Sequence, residues 1–146
     1  MLSEFRVRTD IEVRFHDTDA MAHVNNAAYV TYLEVGRQAY WKAMNTGQPY
    51  DKVPFVLAHV TIDFRKPASS GDVVCVHLKS SWISRQSWGL TYKLTNPDGS
   101  ILFAEADSVQ VTYDYEANHV MEVPDWLRHK IEAVEGRPLP QPQVER

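Results

Sequence analysis

Apolar and polar residues alternate one by one at the start of the chain. Val7, Thr9, Ile11, Val13 and Phe15 share one parity, and Arg8, Asp10, Glu12 and Arg14 share the other. Successive side chains of a strand point to opposite faces, so this stretch predicts a half-buried strand. His16 to Asn25 is polar and aperiodic. From Asn26 to about Met44 the residues Tyr29, Tyr32, Leu33, Gly36, Tyr40, Ala43 and Met44 recur at spacings of three and four. That period predicts an amphipathic helix, roughly 28 Å long at 1.5 Å per residue. Asn25 or Asn26 can cap its start, and Gly47 lies just beyond its end. Ala27, Ala28, Gly36 and Ala39 are small enough to let it lie close to a sheet.

Period two then returns. Val60, Ile62 and Phe64 share a face, as do Val74, Val76 and Leu78, and then Trp88, Leu90, Tyr92 and Leu94. After the turn signal Asn96-Pro97-Asp98-Gly99, Leu102, Ala104 and Ala106 occupy one parity, but Val109, Val111 and Tyr113 the other. A bulge near Asp107 would reconcile them. Pro124, followed by Trp126, Leu127, Ile131 and Val134, predicts a short C-terminal helix closed by Gly136. Residues 1–136 thus read as one domain, with a loose proline-rich tail over 137–146. One strand, one long helix and a strand-rich remainder predict an α+β layout, an antiparallel sheet around a single helix.

Composition narrows the function. In 146 residues, 44% apolar and 11% aromatic, there is enough material for a core, and a formal charge of -4 offers no broad attraction to nucleic acid or anionic membrane. No run approaches the roughly 18 apolar residues of a membrane span, and the charged first residues do not resemble a secretory signal. The chain therefore reads as soluble and cytoplasmic, which its single cysteine, Cys75, fits.

The chemistry concentrates between the first strand and the helix. Asp17, Asp19, His16, His23, Asn25 and Asn26 fall within eleven positions. Spacing alone fits a loop that caps the helix and solvates itself. It equally fits a carboxylate placed beside a helix N-terminus, whose unpaired N–H groups polarise a carbonyl oxygen. Asp17 and Asp19 are alternatives for that carboxylate, the other ordering the loop.

The run Asp17-Thr18-Asp19, then His23-Val24-Asn25-Asn26, then Tyr29, Tyr32, Glu34 and Arg37, resembles the 4-hydroxybenzoyl-CoA thioesterase family of hotdog proteins and its acyl-CoA thioesterase relatives. Pro67 and Gly71-Asp72 add to the likeness, which spans roughly Val7 to Tyr113. The resemblance implies a hotdog fold, a five-stranded antiparallel sheet wrapped around one long central helix. It implies an acyl-CoA thioester hydrolase with Asp19 as nucleophile or general base and the backbone N–H at Asn26 polarising the carbonyl. It makes His23 and Asn25 site-shaping residues, and it implies a homodimer, or a tetramer of two dimers, with sites at the subunit interface. Relatives commonly carry glycine where Ala22 stands, which predicts a slightly different loop here. The His23-Val24-Asn25-Asn26 run is also similar to that of plant acyl-carrier-protein thioesterases.

Other residues are weighed against this frame. Cys75 and His77 share a strand face, yet no helix end or glycine-rich elbow accompanies them, so Cys75 reads as a packed thiol. Glu34 reads as a surface residue paired with Arg37 or Gln38. The six histidines show no metal-ligand spacing, so neither metal nor cofactor is expected, coenzyme A being part of the substrate. Of the cations Arg65, Lys66 and Arg85, Arg65 and Arg85 are taken as phosphate contacts, and Tyr29 as a lining of the acyl site. The rival readings are a non-enzymatic hotdog acyl-CoA-binding sensor or carrier, and a hotdog dehydratase or hydratase.

Overall fold

The computed structural model describes residues 2–142. Strand β1 (Val7–Glu12) leads through an irregular segment into helix α1 (Asn26–Met44), and the strands β2 (Phe55–Phe64), β3 (Val73–Ile83), β4 (Ser87–Thr95) and β5 (Leu102–Asp114) follow. A two-residue strand β6 (His119–Val120) and helix α2 (Asp125–Glu135) complete the chain. The strands pair antiparallel in the order β1-β3-β4-β5-β2, with β6 on β5. Five long strands curl around α1, the hotdog arrangement.

Helix α1 starts where the period predicts because Asn25 caps it, its Oδ1 accepting the Ala28 N–H at 2.9 Å. It ends two residues before Gly47, at Asn45, which takes the left-handed conformation (φ 56°). Its inner face buries Tyr29, Tyr32, Leu33, Gly36, Tyr40, Trp41 and Met44. Gly36 is the point of closest approach, since a Cβ there would stand 3.0 Å from Val76 Cγ1. Arg37 is not at the surface with Glu34: it is 7% exposed and donates to the Tyr92 hydroxyl at 3.2 Å.

Two strand expectations fail for physical reasons. β1 stops at Glu12, and a short 3₁₀ turn at Phe15–Asp17 rotates Phe15 outward, 84% exposed. No bulge interrupts β5 at Asp107, where the pairing with β4 runs unshifted from Ala104 to Val111. Ser108, Gln110 and Thr112 continue the inner face, buried but hydrogen-bonded. Ser108 bonds Tyr92 and Gln110, Gln110 donates to the Trp88 carbonyl, and Thr112 to that of Gln86. The irregularity sits instead on the facing strand, between Leu57 and His59.

α2 spans the predicted stretch, from Pro124 to a left-handed Gly136. Its buried Glu135 accepts from the Tyr40 hydroxyl (2.6 Å) and from the Ser80 N–H (2.9 Å), beside the register shift in β3. The described part of the tail, 137–142, returns to the sheet at two points. The Pro140 carbonyl accepts from Ile83 N–H, and Leu139 packs against the core. Residues 143–146 of that expected tail lie outside the described residues.

Candidate active site

The polar segment ahead of α1 folds into a small closed loop. Asp19 N–H donates to the His23 carbonyl at 2.8 Å and Ala22 N–H to the Asp19 carbonyl at 2.9 Å. Asn25 N–H donates to the Asp17 carbonyl (3.0 Å), and Val24 N–H to Ala68 on the segment entering β3 (2.8 Å). So tight a turn needs a left-handed residue, and Ala22 supplies it at φ 62°. Alanine in that conformation carries strain of roughly 1–2 kcal/mol that a glycine would not.

The two aspartates divide their work by burial. Asp17 is 6% exposed and accepts from the Arg14 guanidinium (2.8 Å), the Arg14 backbone N–H (3.1 Å) and the Tyr32 hydroxyl (2.8 Å). The Arg14 side chain holds its carboxyl down to about 2, against the penalty of burial. Burial and the Asp17 carboxylate together push the Tyr32 hydroxyl up, keeping it a neutral donor. Asp17 thus ties the start of the loop to the second turn of the helix. Asp19 is exposed, and its Oδ1 accepts the backbone N–H of Met21 (2.9 Å) and of His23 (3.4 Å). Among the described residues its Oδ2 has no partner, so one oxygen is anchored and the other is free.

Asp19 borders a cavity of about 270 Å³ lined also by His23, Val24, Asn26, Tyr29, Phe64, Arg65, Lys66 and Pro67. Asn26 opens the helix, where the N–H groups of the first turn have no intrahelical acceptor and the positive end of the dipole emerges. Tyr29 is 3% exposed and tilts against Phe64 with ring centroids 5.4 Å apart. Burial raises its hydroxyl pKa. Phe64 is the last residue of β2, the sheet's outer strand, and is itself 46% exposed. The cavity therefore opens toward an unpaired sheet edge.

Of the residues expected from sequence, Asp19, Asn26, His23, Tyr29 and Arg65 come together here. Asn25 stands behind the cavity as the helix cap. Arg85 lies in the β3–β4 turn at the far end of the sheet, where Gln86 accepts from Thr112 N–H. Eight residues of β5 separate that level from Ala104, the partner of Phe64, or roughly 26 Å at 3.3 Å per residue. Arg65 points outward and is held by Glu105 at 2.9 Å. Lys66, which follows it past the end of β2, borders the same cavity. It makes no ion pair among the described residues.

Among the described residues no group of three or more His, Cys, Asp or Glu side chains is placed to hold a metal ion, and no helix is long and apolar enough to cross a membrane. Cys75, on β3 between β1 and β4, is fully buried, its thiol pKa raised by that burial. It stands on the sheet's outer side, away from the loop.

Comparison with known proteins places this geometry. The model of the thioesterase-like superfamily matches residues 13–131. The long-chain acyl-CoA thioesterase FadM of Escherichia coli K12 is 26% identical over 132 residues, covering 86% of this chain and 97% of that protein. The putative acyl-CoA thioesterase YneP of Bacillus subtilis 168 is 30% identical over 129 residues, covering 82% of this chain and 91% of that protein. Among solved structures, a thioesterase from Thermus thermophilus complexed with coenzyme A and Zn superposes with a TM-score of 0.83. It is 31% identical, and the superposition covers 93% of this chain and 98% of that one. The matched region takes in the whole loop from Val13 to Asn26, the long helix and all the strands that follow it, and on that footing the chain belongs to the thioesterase-like superfamily.

Proposed function

We propose that this protein hydrolyses an acyl-CoA thioester to a free carboxylic acid and coenzyme A. The observation that carries the reading is one cavity bordered by both a carboxylate with a free oxygen, Asp19, and the opening residue of a long helix, Asn26. The Asn26 N–H receives the thioester carbonyl oxygen and stabilises the charge that develops on it. Asp19 Oδ2 attacks the carbonyl carbon, giving an anhydride that water then opens, or it takes the proton of an attacking water. Either way the coenzyme A thiolate leaves with the electron pair of the broken C–S bond. Tyr29 and Phe64 wall the acyl side, with His23 on the opposite rim.

The unit that acts is a dimer joined through β2. That strand is ten residues long and forms the sheet edge, and Leu57 (40%) and Phe64 (46%) are exposed along it. Such an edge invites pairing with a second copy. Antiparallel pairing about its middle sets Phe64 beside the partner's Phe55, the end of the sheet at which the partner subunit's Arg85 sits. Arg85, remote within one chain, then faces the cavity mouth across the interface. Two such dimers can stack into a tetramer, and the cytoplasm is the compartment that suits the substrate.

The test is free-thiol release from a panel of short, long and aromatic acyl-CoA substrates, with light scattering on the same sample. Turnover on at least one member by a species of two or four chains is expected. Tight acyl-CoA binding without thiol release would point instead to a sensor or carrier.

A further inference from the structure

Among the described residues Arg37 is the only arginine or lysine that is buried, and it makes no ion pair. It donates to the Tyr92 hydroxyl, which bonds Ser108, and Tyr50 flanks it. Neutral hydroxyls solvate a guanidinium only in part, and a charge taken out of water calls for an opposite one. Glu34, one turn earlier on α1, is exposed and likewise makes no ion pair among the described residues. Residues three apart on a helix stand about 5–6 Å apart at Cβ. The two charges therefore emerge along one side of α1 without bonding each other.

That side borders an open groove. Gly36 meets Val76 and Leu78 of β3, whereas Arg37 reaches Tyr92 of β4 and, through it, Ser108 of β5. Going round the helix from Gly36 to Arg37 thus moves toward β2, and Val30 and Glu34, both exposed, continue in that direction. The helix packs chiefly over β1 and β3. On the inner face of β2, Val60 and Ile62 are only half-buried and Phe64 is exposed.

Ser108 pairs with Val60, at the middle of β2. A two-fold axis through the middle of that strand, as in the dimer above, therefore runs beside Arg37 and brings both guanidinium groups to its flanks. Helical side chains lean toward the N-terminus, so the axis crosses α1 within about a turn of both Glu34 and Arg37. The two helices pass the axis antiparallel, which sets the carboxylate of one against the guanidinium of the other.

We propose that Glu34 of each chain pairs with the partner subunit's Arg37 across the two-fold axis, and that a second copy of this chain closes the groove between α1 and β2. The inference rests on the β2-paired dimer. It makes the two reciprocal pairs the element that fixes the register of the joined sheets, because a slip of two residues along β2 moves the chains about 6.6 Å and parts the charges.

Analytical ultracentrifugation tests it. In Glu34→Arg, with the circular dichroism of the wild type retained, the dimer dissociation constant is expected to rise at least about a hundredfold. Arg37→Glu should dissociate likewise. Mixed in equal amounts, the two variants should form a dimer of one chain each: alone, each sets like charges together, and in the mixture every charge meets its opposite. If Arg37→Glu does not fold alone, co-expression of the two chains with different tags supplies the mixture. Wild-type dimer affinity in Glu34→Arg, or no mixed dimer from the two variants, overturns the proposal while the strand-paired dimer stands. A wild type that sediments as a single chain overturns that dimer and the pair with it.

Discussion

Replacing Asp17 by asparagine should separate the two aspartates, because it costs stability in a pH-dependent way. The folded carboxyl sits near 2 against 3.8 for a free one. Its charge therefore stabilises the fold fully above about pH 4, and that contribution is lost as the pH falls through 2. Such a displacement is worth at most about 2.5 kcal/mol. Arg14, the main partner, is 71% exposed, and solvent screening at that end reduces the expected value to about 1–2 kcal/mol. Urea unfolding of wild type and Asp17→Asn, followed by tryptophan fluorescence, measures the gap without adding salt. The difference should be near its full size at pH 7 and shrink steadily between pH 4 and pH 2. A gap of the same size at pH 7 and pH 2 would refute the charge argument, leaving only a lost hydrogen-bond geometry.

The other perturbations follow from single contacts. Ala22→Gly relieves left-handed strain of roughly 1–2 kcal/mol and loses part of that to unfolded-chain entropy. A gain of up to about 1 kcal/mol in urea unfolding, with turnover retained, is expected. Glu135→Ala leaves the Tyr40 hydroxyl and the Ser80 N–H without their acceptor inside the core. It should cost about 2–5 kcal/mol, seen as a fall in the urea midpoint with the m-value unchanged.

What the sequence discloses and what it hides divide along physical lines. The bounds of α1 are readable because period and cap chemistry agree at Asn25, and α2 is readable from Pro124 and Gly136 for the same reason. Phe15 misleads because an alternating pattern does not say where pairing stops, and a 3₁₀ turn reverses its parity. β5 misleads because the pattern assumes that apolar means inward, while Ser108, Gln110 and Thr112 are buried with their side chains hydrogen-bonded to one another or to backbone carbonyls. Arg37 misleads likewise, as a cation expected at the surface that is buried and donates to the Tyr92 hydroxyl. In the site, the loop residues are legible since they are contiguous and the resemblance orders them. Where Arg85 lies relative to that loop is not, because which end of the sheet a hairpin occupies depends on strand order. That Arg65 is tied to Glu105 while Lys66 is not depends on the β2–β5 register, which the order of residues does not give.

The central claim is that Asp19 performs the chemistry at the start of α1. Asp19→Asn keeps the side chain's shape and its acceptor oxygen for the Met21 and His23 N–H groups, removing only charge and basicity. Thiol release by this variant should fall at least about a hundredfold, with acyl-CoA binding and the urea midpoint retained. Turnover at the wild-type rate in Asp19→Asn, on a substrate that the wild type hydrolyses, would contradict the account.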